Sequence, residues 1–577
     1  MKTEKTLGYY IRPFLWTMAG GFAVKTTGTF LELALPGILS RIIDDIVPAG
    51  DTKGIVIWCV IMVVCALLAW LFNILANRNA SRVARNITQK IRHDLFEKTL
   101  YLTCSKTDEY TIPSLEGRLT SDTYHVHRMI GMMQRMGVRA PIITIGGLII
   151  TFILEPVLSL VFLAVIPFMA VLIVWRASQG IPLFSLVQKA SDRMAGVVRE
   201  NAQGIRVIKA LTREEKEKNR FDRVNTELKN QEVHASRKMA MIDPLMNLFL
   251  YSGMMGVIIV GAWRVNAGIS ETGKILAFMS YFQMISRAMM AVSRMFIMYS
   301  RGMASSGRIM EVLNSTSEKD WKPEECPPGD PAYELEFRDV SFSYLNVRNN
   351  IENISFRLKK GEKLGIIGAT GSGKSTIVSL LLHFYHAGSG QIYVQGKDVR
   401  SYEPSALRSL FGTVMQNDFL FGGTIADNIR FGREISDEKL MQAEKDAQAY
   451  EFISALPEKD GYELSVKGTN LSGGQKQRVL LARAFAGDTP FLILDDASSA
   501  LDYKTDAALR KAAAENYADK NRIIIAQRIS SIQHCDQILV LDHGRPAGMG
   551  KHEELLKTNE LYAAIAESQM GGALFEG

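Results

Sequence analysis

Cysteine is scarce: Cys59, Cys65, Cys104, Cys326 and Cys535 are the only five in 577 residues, and none form a CxxC pair. That spacing argues against a zinc site, and nothing in it demands an oxidising compartment. Cys59 and Cys65 lie in an apolar run, where they serve as small hydrophobes. A strong charge imbalance is absent too. The net charge of +7 is mild; basic loops facing anionic lipid account for it better than nucleic-acid binding. The first residues, MKTEKTLGYYIRP, lack a short apolar core followed by a small-residue cleavage site, so no removable signal peptide is expected.

What the chain has is apolar sequence, unevenly placed. A membrane span needs about 20 apolar residues, and six candidates precede residue 300. The first runs from Phe14 to Ile46 and the second from Ile55 to Leu75. The third starts near Met129 and includes PIITIGGLIITFIL; Glu155-Pro156 breaks it from the fourth, VLSLVFLAVIPFMAVLIVW. The fifth covers LMNLFLYSGMMGVIIVGAW, and the sixth runs from Ile275 to about Tyr299. Short turns join spans one to two, three to four and five to six. Long, charged, helix-compatible segments join the others, with Arg78, Arg82, Arg85, Lys90, Arg92 and Lys98 in the first of them. Basic residues stay on the cytoplasmic side, so these segments and both termini are expected in the cytoplasm. Each long segment has a reversal, around Pro113 and around Gly204, where a short helix could touch a soluble domain.

Charges also fall inside the spans. Lys25 and Glu32, seven apart, share a helical face, and Arg287 and Arg294 lie in the sixth span. Intramembrane charges face a cavity or pair with one another. Two readings stand: a polar patch lining a substrate path, with Glu32 opposite Arg287, or a structural ion pair with interfacial side chains. The sixth span also carries Met279, Met284, Met289, Met290, Met295, Met298 and Met303, a stripe suited to packing or to adaptable substrate contact.

Residues 314–333, NSTSEKDWKPEECPPGDPAY, read as a linker between a membrane domain over 1–313 and a soluble α/β domain over 334–577. In the latter, an apolar strand, EKLGIIG, runs into Gly368, Ala369, Thr370, Gly371, Ser372, Gly373, Lys374, Ser375 and Thr376, followed by an apolar helix. This fits G-x-x-x-x-G-K-[ST], a loop whose backbone N–H groups cradle phosphate at a helix start. Lys374 would reach the β- and γ-phosphates of ATP and Ser375 would bind Mg²⁺. A second glycine-rich helix start, NLSGGQKQR from Asn470, precedes the apolar run FLILDD, which ends in Asp495 and Asp496. One phosphate loop suffices for one nucleotide. Ser472, Gly473 and Gly474 therefore suit a nucleotide held by another domain.

In these motifs, their order and their spacing, the chain resembles the ATP-binding cassette exporters with six spans fused ahead of one nucleotide-binding domain. The resemblance implies the type I exporter fold: a six-helix membrane domain plus an α/β phosphate-loop domain. It implies ATP and Mg²⁺ as ligands, a location in the cell membrane, and no nucleic-acid partner. Tyr344 matches the aromatic that stacks on adenine, and Gln416 the glutamine linking the Mg²⁺ site to the membrane domain. Leu471 to Gln475 match the signature, and Ser499 to Asp502 the loop between paired nucleotide domains. Asp495 matches the carboxylate that holds Mg²⁺ through water.

Two positions depart from the family pattern. Asp496 stands where a glutamate usually orients or deprotonates the attacking water, and is shorter by roughly 1.5 Å of reach. Gln527 stands where a histidine usually contacts the γ-phosphate; an amide donates a hydrogen bond but cannot become a cation. YELSVKGTN, before the signature, is also shorter than the family's acidic stretch. With an intact phosphate loop and signature, the resemblance implies the weak-site subunit of a heterodimer. Its signature would complete the active site of a second half-transporter. A slow homodimer and a nucleotide-gated, channel-like regulator are the alternatives. No peptidase-like segment precedes the spans, which argues against a processing peptide exporter.

Overall fold

A computed structural model describes residues 4–345 and 347–570. The chain divides into two compact units: one holds the chain through Leu100 with Tyr110–Ser315, the other Tyr101–Glu109 with the chain from Thr316 onward.

The first unit is helical. Its long elements are α1 (Leu15–Arg41), α2 (Thr52–Leu100), α3 (Thr123–Pro141), α4 (Pro156–Gln203), α5 (Glu214–Ala240), α6 (Ile242–Asn266) and α7 (Thr272–Asn314). A π-turn, Ile42–Ile46, extends α1, and another, Ile142–Gly146, carries α3 on into a helix at Gly147–Leu154. The expected break is present: Glu155 is extended, with φ −156° and ψ 96°, and Pro156 opens α4, where its missing N–H costs nothing. Among the described residues, four helical stretches are long and apolar enough to cross a membrane: Thr52–Leu100, Ile112–Leu154, Glu214–Asn266 and Thr272–Asn314. These outrun the apolar runs because their charged ends continue as helix. In α2, Val56, Val60 and Trp70 are exposed, whereas further on Ala76, Ala80, Val83, Ala84, Ile87, Ile91 and Leu95 are buried at helical spacing. Gly28 lets α1 approach α2, since a Cβ there would lie 3.0 Å from the Phe72 Cβ.

The charges inside this unit pair differently from expectation. Glu32 does not face Arg287; it pairs with Arg139 of α3, Nη2 to Oε1 at 2.5 Å. Lys25 is buried and donates to Asn73 Oδ1 at 2.7 Å and Asn77 Oδ1 at 3.2 Å. Glu155 pairs with Arg264 at 3.2 Å. Met279 and Met289 pack against the buried cluster around Leu158, Phe278 and Phe282, and Met284 packs against Leu33 and Tyr281, so these methionines fill packing gaps.

The second unit is α/β. Its parallel core contains β3 (Lys363–Gly368), β5 (Phe411–Val414), β6 (Phe491–Asp495), β7 (Asn521–Ile525) and β8 (Gln537–Asp542), with β9 (Arg545–Gly550) antiparallel at one edge. The order is β9-β8-β3-β7-β6-β5. A second sheet holds β1 (Leu335–Phe342), β2 (Ile351–Leu358) and β4 (Ser389–Val394) in antiparallel register. Every residue of β6 is buried, as a central strand covered on both faces requires. The order sets β6 beside β7, with Asp495 in register with Ile525; the ends of both strands and the loop after β3 meet on one side.

The first reversal forms a short helix, Cys104–Tyr110, and its Asp108 accepts from the Tyr385 hydroxyl at 2.5 Å within the second unit. At the second reversal the helix Ile205–Ala210 has Ile205 and Val207 exposed. The linker is stitched down: Glu318 takes two 2.7 Å bonds from Arg408, and the Trp321 indole donates to the Tyr402 carbonyl at 3.2 Å.

Candidate nucleotide site

The site begins with backbone. After β3 the chain turns through Gly371 (φ 83°) and Gly373 (φ 95°), conformations open to glycine at little cost. A Cβ at Gly373 would sit 2.8 Å from the Asn350 carbonyl oxygen, so this position also needs the space. Lys374 then opens α8 (Lys374–Leu381). Its ammonium donates to the Gly368 and Ala369 carbonyls, both at 2.8 Å. Burial lowers its pKa, and Asp495 and Asp496 work against that shift.

Around this loop lies a cavity of about 260 Å³, lined by Asn350, Thr370, Gly371, Gly373, Lys374, Ser375, Thr376, Gln416, Asp495, Asp496, Ile525, Ala526 and Gln527. Asp495 is buried at the end of β6, and its Oδ2 has no hydrogen-bond partner. Burial raises its pKa, and the Ser375 hydroxyl opposes the rise. The Ser372 hydroxyl is buried and unpartnered as well. An orphaned carboxylate oxygen beside a serine hydroxyl offers the hard oxygen ligands that Mg²⁺ takes. An open loop with a lysine suits a polyphosphate. The residues present therefore fit MgATP.

Asp496 follows at φ 54°, a left-handed conformation that aspartate tolerates better than most side chains. Its N–H donates to the Ile525 carbonyl at 2.9 Å, tying it to β7. Gln527, two residues beyond β7, is exposed. A residue of the helix Glu560–Met570 fixes its backbone: Gln569 Nε2 donates to the Gln527 carbonyl at 2.7 Å, and Gln569 Oε1 accepts from the Ile529 N–H at 2.8 Å.

Not every expected residue lines this cavity. Tyr344 lies in a neighbouring recess, edge-on to Phe342 at 4.8 Å and to Tyr385 at 4.9 Å. Ser472, Gly473, Gly474 and Gln475 are also absent from its lining. Ser472 caps α9 (Gly473–Phe485) in a capping box, accepting from the Gln475 N–H at 3.3 Å while Gln475 accepts from the Ser472 N–H at 2.9 Å. Gln477 ties this helix to the SALD loop, donating to Ser499 Oγ and accepting from the Ala500 N–H, both at 2.9 Å. Asn350 was missed in the sequence. It lines the phosphate cavity and its Oδ1 accepts from the Tyr344 N–H at 3.1 Å; only its place in the loop after β1 could have flagged it.

Residues 18–289 match the family described as "ABC transporter transmembrane region", and residues 351–499 match "ABC transporter". The chain is 33% identical over 572 residues to the uncharacterized ABC transporter ATP-binding protein YfiB of Bacillus subtilis (strain 168), covering 98% of this chain and 99% of that one. It is 30% identical to a multidrug efflux ATP-binding/permease protein of Mycobacterium bovis (strain BCG / Pasteur 1173P2), covering 93% of this chain and 45% of that longer one. A bacterial Atm1-family ABC exporter solved with ATP bound superposes with a TM-score of 0.83 at 23% identity, covering 97% of this chain and 99% of that one. The fold and the site define an ABC transporter of the type I exporter fold, and this chain belongs to that family. It is a half-transporter: one transmembrane region joined to one ATP-binding domain, an ATPase-coupled machine that works as a dimer in the lipid bilayer.

Proposed function

We propose that this chain is the weak-site subunit of a heterodimeric exporter, with its nucleotide-binding domain and termini in the cytoplasm. The observation that carries this reading is the joint presence of Asp496 and Gln527 on a cavity whose Lys374, Ser375 and Asp495 are intact. Tyr344, in the neighbouring recess, would stack on adenine. The loop from Gly368 to Thr376 holds the phosphates, with Lys374 supplying charge at the β- and γ-phosphates. Ser375, Gln416 and Asp495 would hold Mg²⁺, which would neutralise charge on the phosphate oxygens when bound. Asp496 reaches toward the attacking water from one methylene too far away, and the Gln527 amide supplies a neutral contact where a cation would stabilise developing charge. The site retains ATP and cleaves it slowly.

Ser472, Gly473 and Gly474 of this chain close over the partner's nucleotide. They stand at the start of α9, outside this chain's own phosphate cavity, and the Gly473 and Gly474 N–H groups take no part in its capping box. Closure of two domains on ATP favours one membrane conformation, and hydrolysis in the partner's site resets it. Co-purification tests the assignment. A tagged full-length chain is expected to bring down a different half-transporter in equal amount, one carrying glutamate and histidine at the equivalent positions. A stable homodimer that alone hydrolyses ATP at full rate would contradict it.

A further inference from the structure

The helix of the sixth span, α7, carries arginine at Arg287, Arg294, Arg301 and Arg308, a strict seven-residue repeat that places all four along one helical face. Arg308 is satisfied, its Nε donating to Asp122 at 2.8 Å. Arg287, Arg294 and Arg301 are exposed, and none makes a hydrogen bond or ion pair among the described residues. Gln283, exposed and one turn before Arg287, extends the polar stripe. The packing side of α7 lies elsewhere, with Phe278, Tyr281, Phe282 and Ile285 buried.

At 1.5 Å per residue from Thr272, Arg287 lies about 22 Å along the helix and Arg294 about 33 Å, against a hydrocarbon core about 30 Å thick. By that measure Arg287 falls inside the core and Arg294 at its far edge; an arginine facing lipid at the depth of Arg287 is unfavourable, so this face of α7 belongs on a water-filled path. Other span charges do not offset it. Among the described residues, Glu32 is taken by Arg139 and Glu155 by Arg264, while Lys25 has amide partners, Asn73 and Asn77. The path is left with uncompensated positive charge.

We infer that the exported molecule is an anionic amphiphile, a carboxylate- or phosphate-bearing compound with an apolar body, whose charge is met by Arg287 and Arg294 on the α7 face. The inference rests on export by this chain and does not depend on the weak nucleotide site.

The test uses the full chain purified with its partner subunit, and reads binding by fluorescence anisotropy. One probe pair is soluble: carboxyfluorescein against a cationic rhodamine of similar size. The other is lipid: tail-labelled phosphatidylglycerol against tail-labelled phosphatidylcholine in nanodiscs. The anionic member of at least one pair is expected to bind about tenfold tighter, the scale of one or two partly solvated charge contacts. A preference in the dye pair identifies a soluble anion, and one in the lipid pair an anionic headgroup. Arg287→Gln with Arg294→Gln should bring the preference within about twofold, whereas Arg287→Lys with Arg294→Lys should keep it, separating lost charge from damaged folding. Equal binding within both pairs, or a preference that survives the glutamine substitutions, would overturn the inference. Charge-selective binding without ATP-driven movement of either probe would instead contradict export and leave the arginine assignment standing.

Discussion

Gln569 grips the backbone on both sides of Arg528: its amide donates to the Gln527 carbonyl at 2.7 Å and accepts from the Ile529 N–H at 2.8 Å. A residue near the end of the described chain thus sets the course of the loop that carries Gln527 to the phosphate cavity. Each such bond contributes about 1 kcal/mol net. Gln569→Ala should therefore do little to complex turnover in the native background, where Gln527 contributes little. Where Asp496→Glu and Gln527→His have restored chemistry in this site, it should lower single-turnover hydrolysis about tenfold. Equal effects in both backgrounds would mean that Gln569 supports folding alone.

The signature should outweigh the local carboxylates. A Cβ at Gly474 would lie 3.2 Å from the Ala500 carbonyl oxygen, so even Gly474→Ala crowds the SALD loop. Gly474→Asp adds a negative charge where the partner's γ-phosphate is expected, and repulsion joins the lost backbone contact. ATPase activity of the complex should fall by at least about 100-fold, on the scale of losing a phosphate-stabilising donor. Activity retained above one-tenth would show that this LSGGQ faces no productive nucleotide.

A buried acid outside the site gives a pH prediction. Glu444, on the helix Asp437–Asp446, is 1% exposed with an unpartnered Oε1. Burial and the Asp460 carboxylate push its pKa up to about 8, from an ordinary 4.5. The folded state therefore holds a proton that the unfolded state releases between these values. The resulting stabilisation is complete below pH 4.5 and lost as pH rises through about 8. Glu444→Gln keeps a neutral side chain at every pH. Its melting temperature should exceed that of the unsubstituted protein at pH 8 by more than at pH 6, each recovered kcal/mol being worth about 2–4 °C. A difference independent of pH between these values would rule out the proton.

Much of this was legible in sequence because it is local. The phosphate loop needs a strand, glycines and a helix start in consecutive order, and β3, Gly371, Gly373 and α8 supply them in that order. Glu155-Pro156 broke the helix where a residue preceding proline leaves the helical region. What sequence could not give depended on which helices meet. Glu32 lies 107 residues from Arg139, and no periodicity within α1 selects α3 over α7. Asn350 and Gln569 were invisible for the same reason: both act on loops distant in the chain through bonds to backbone, which leave no residue-type pattern at the loop.

The proposed asymmetry turns on Asp496 and is most directly read in one turnover. The complex is prepared with the partner's catalytic carboxylate removed, loaded with substoichiometric MgATP, and the rate of phosphate release is measured. With Asp496 and Gln527 in place, cleavage should be slower by at least about 100-fold than in the intact complex, as expected for a misplaced base and a missing cation. Asp496→Asn should change it little, and Asp496→Glu with Gln527→His should accelerate it. Rapid cleavage by the unaltered chain in that background would contradict a weak site here.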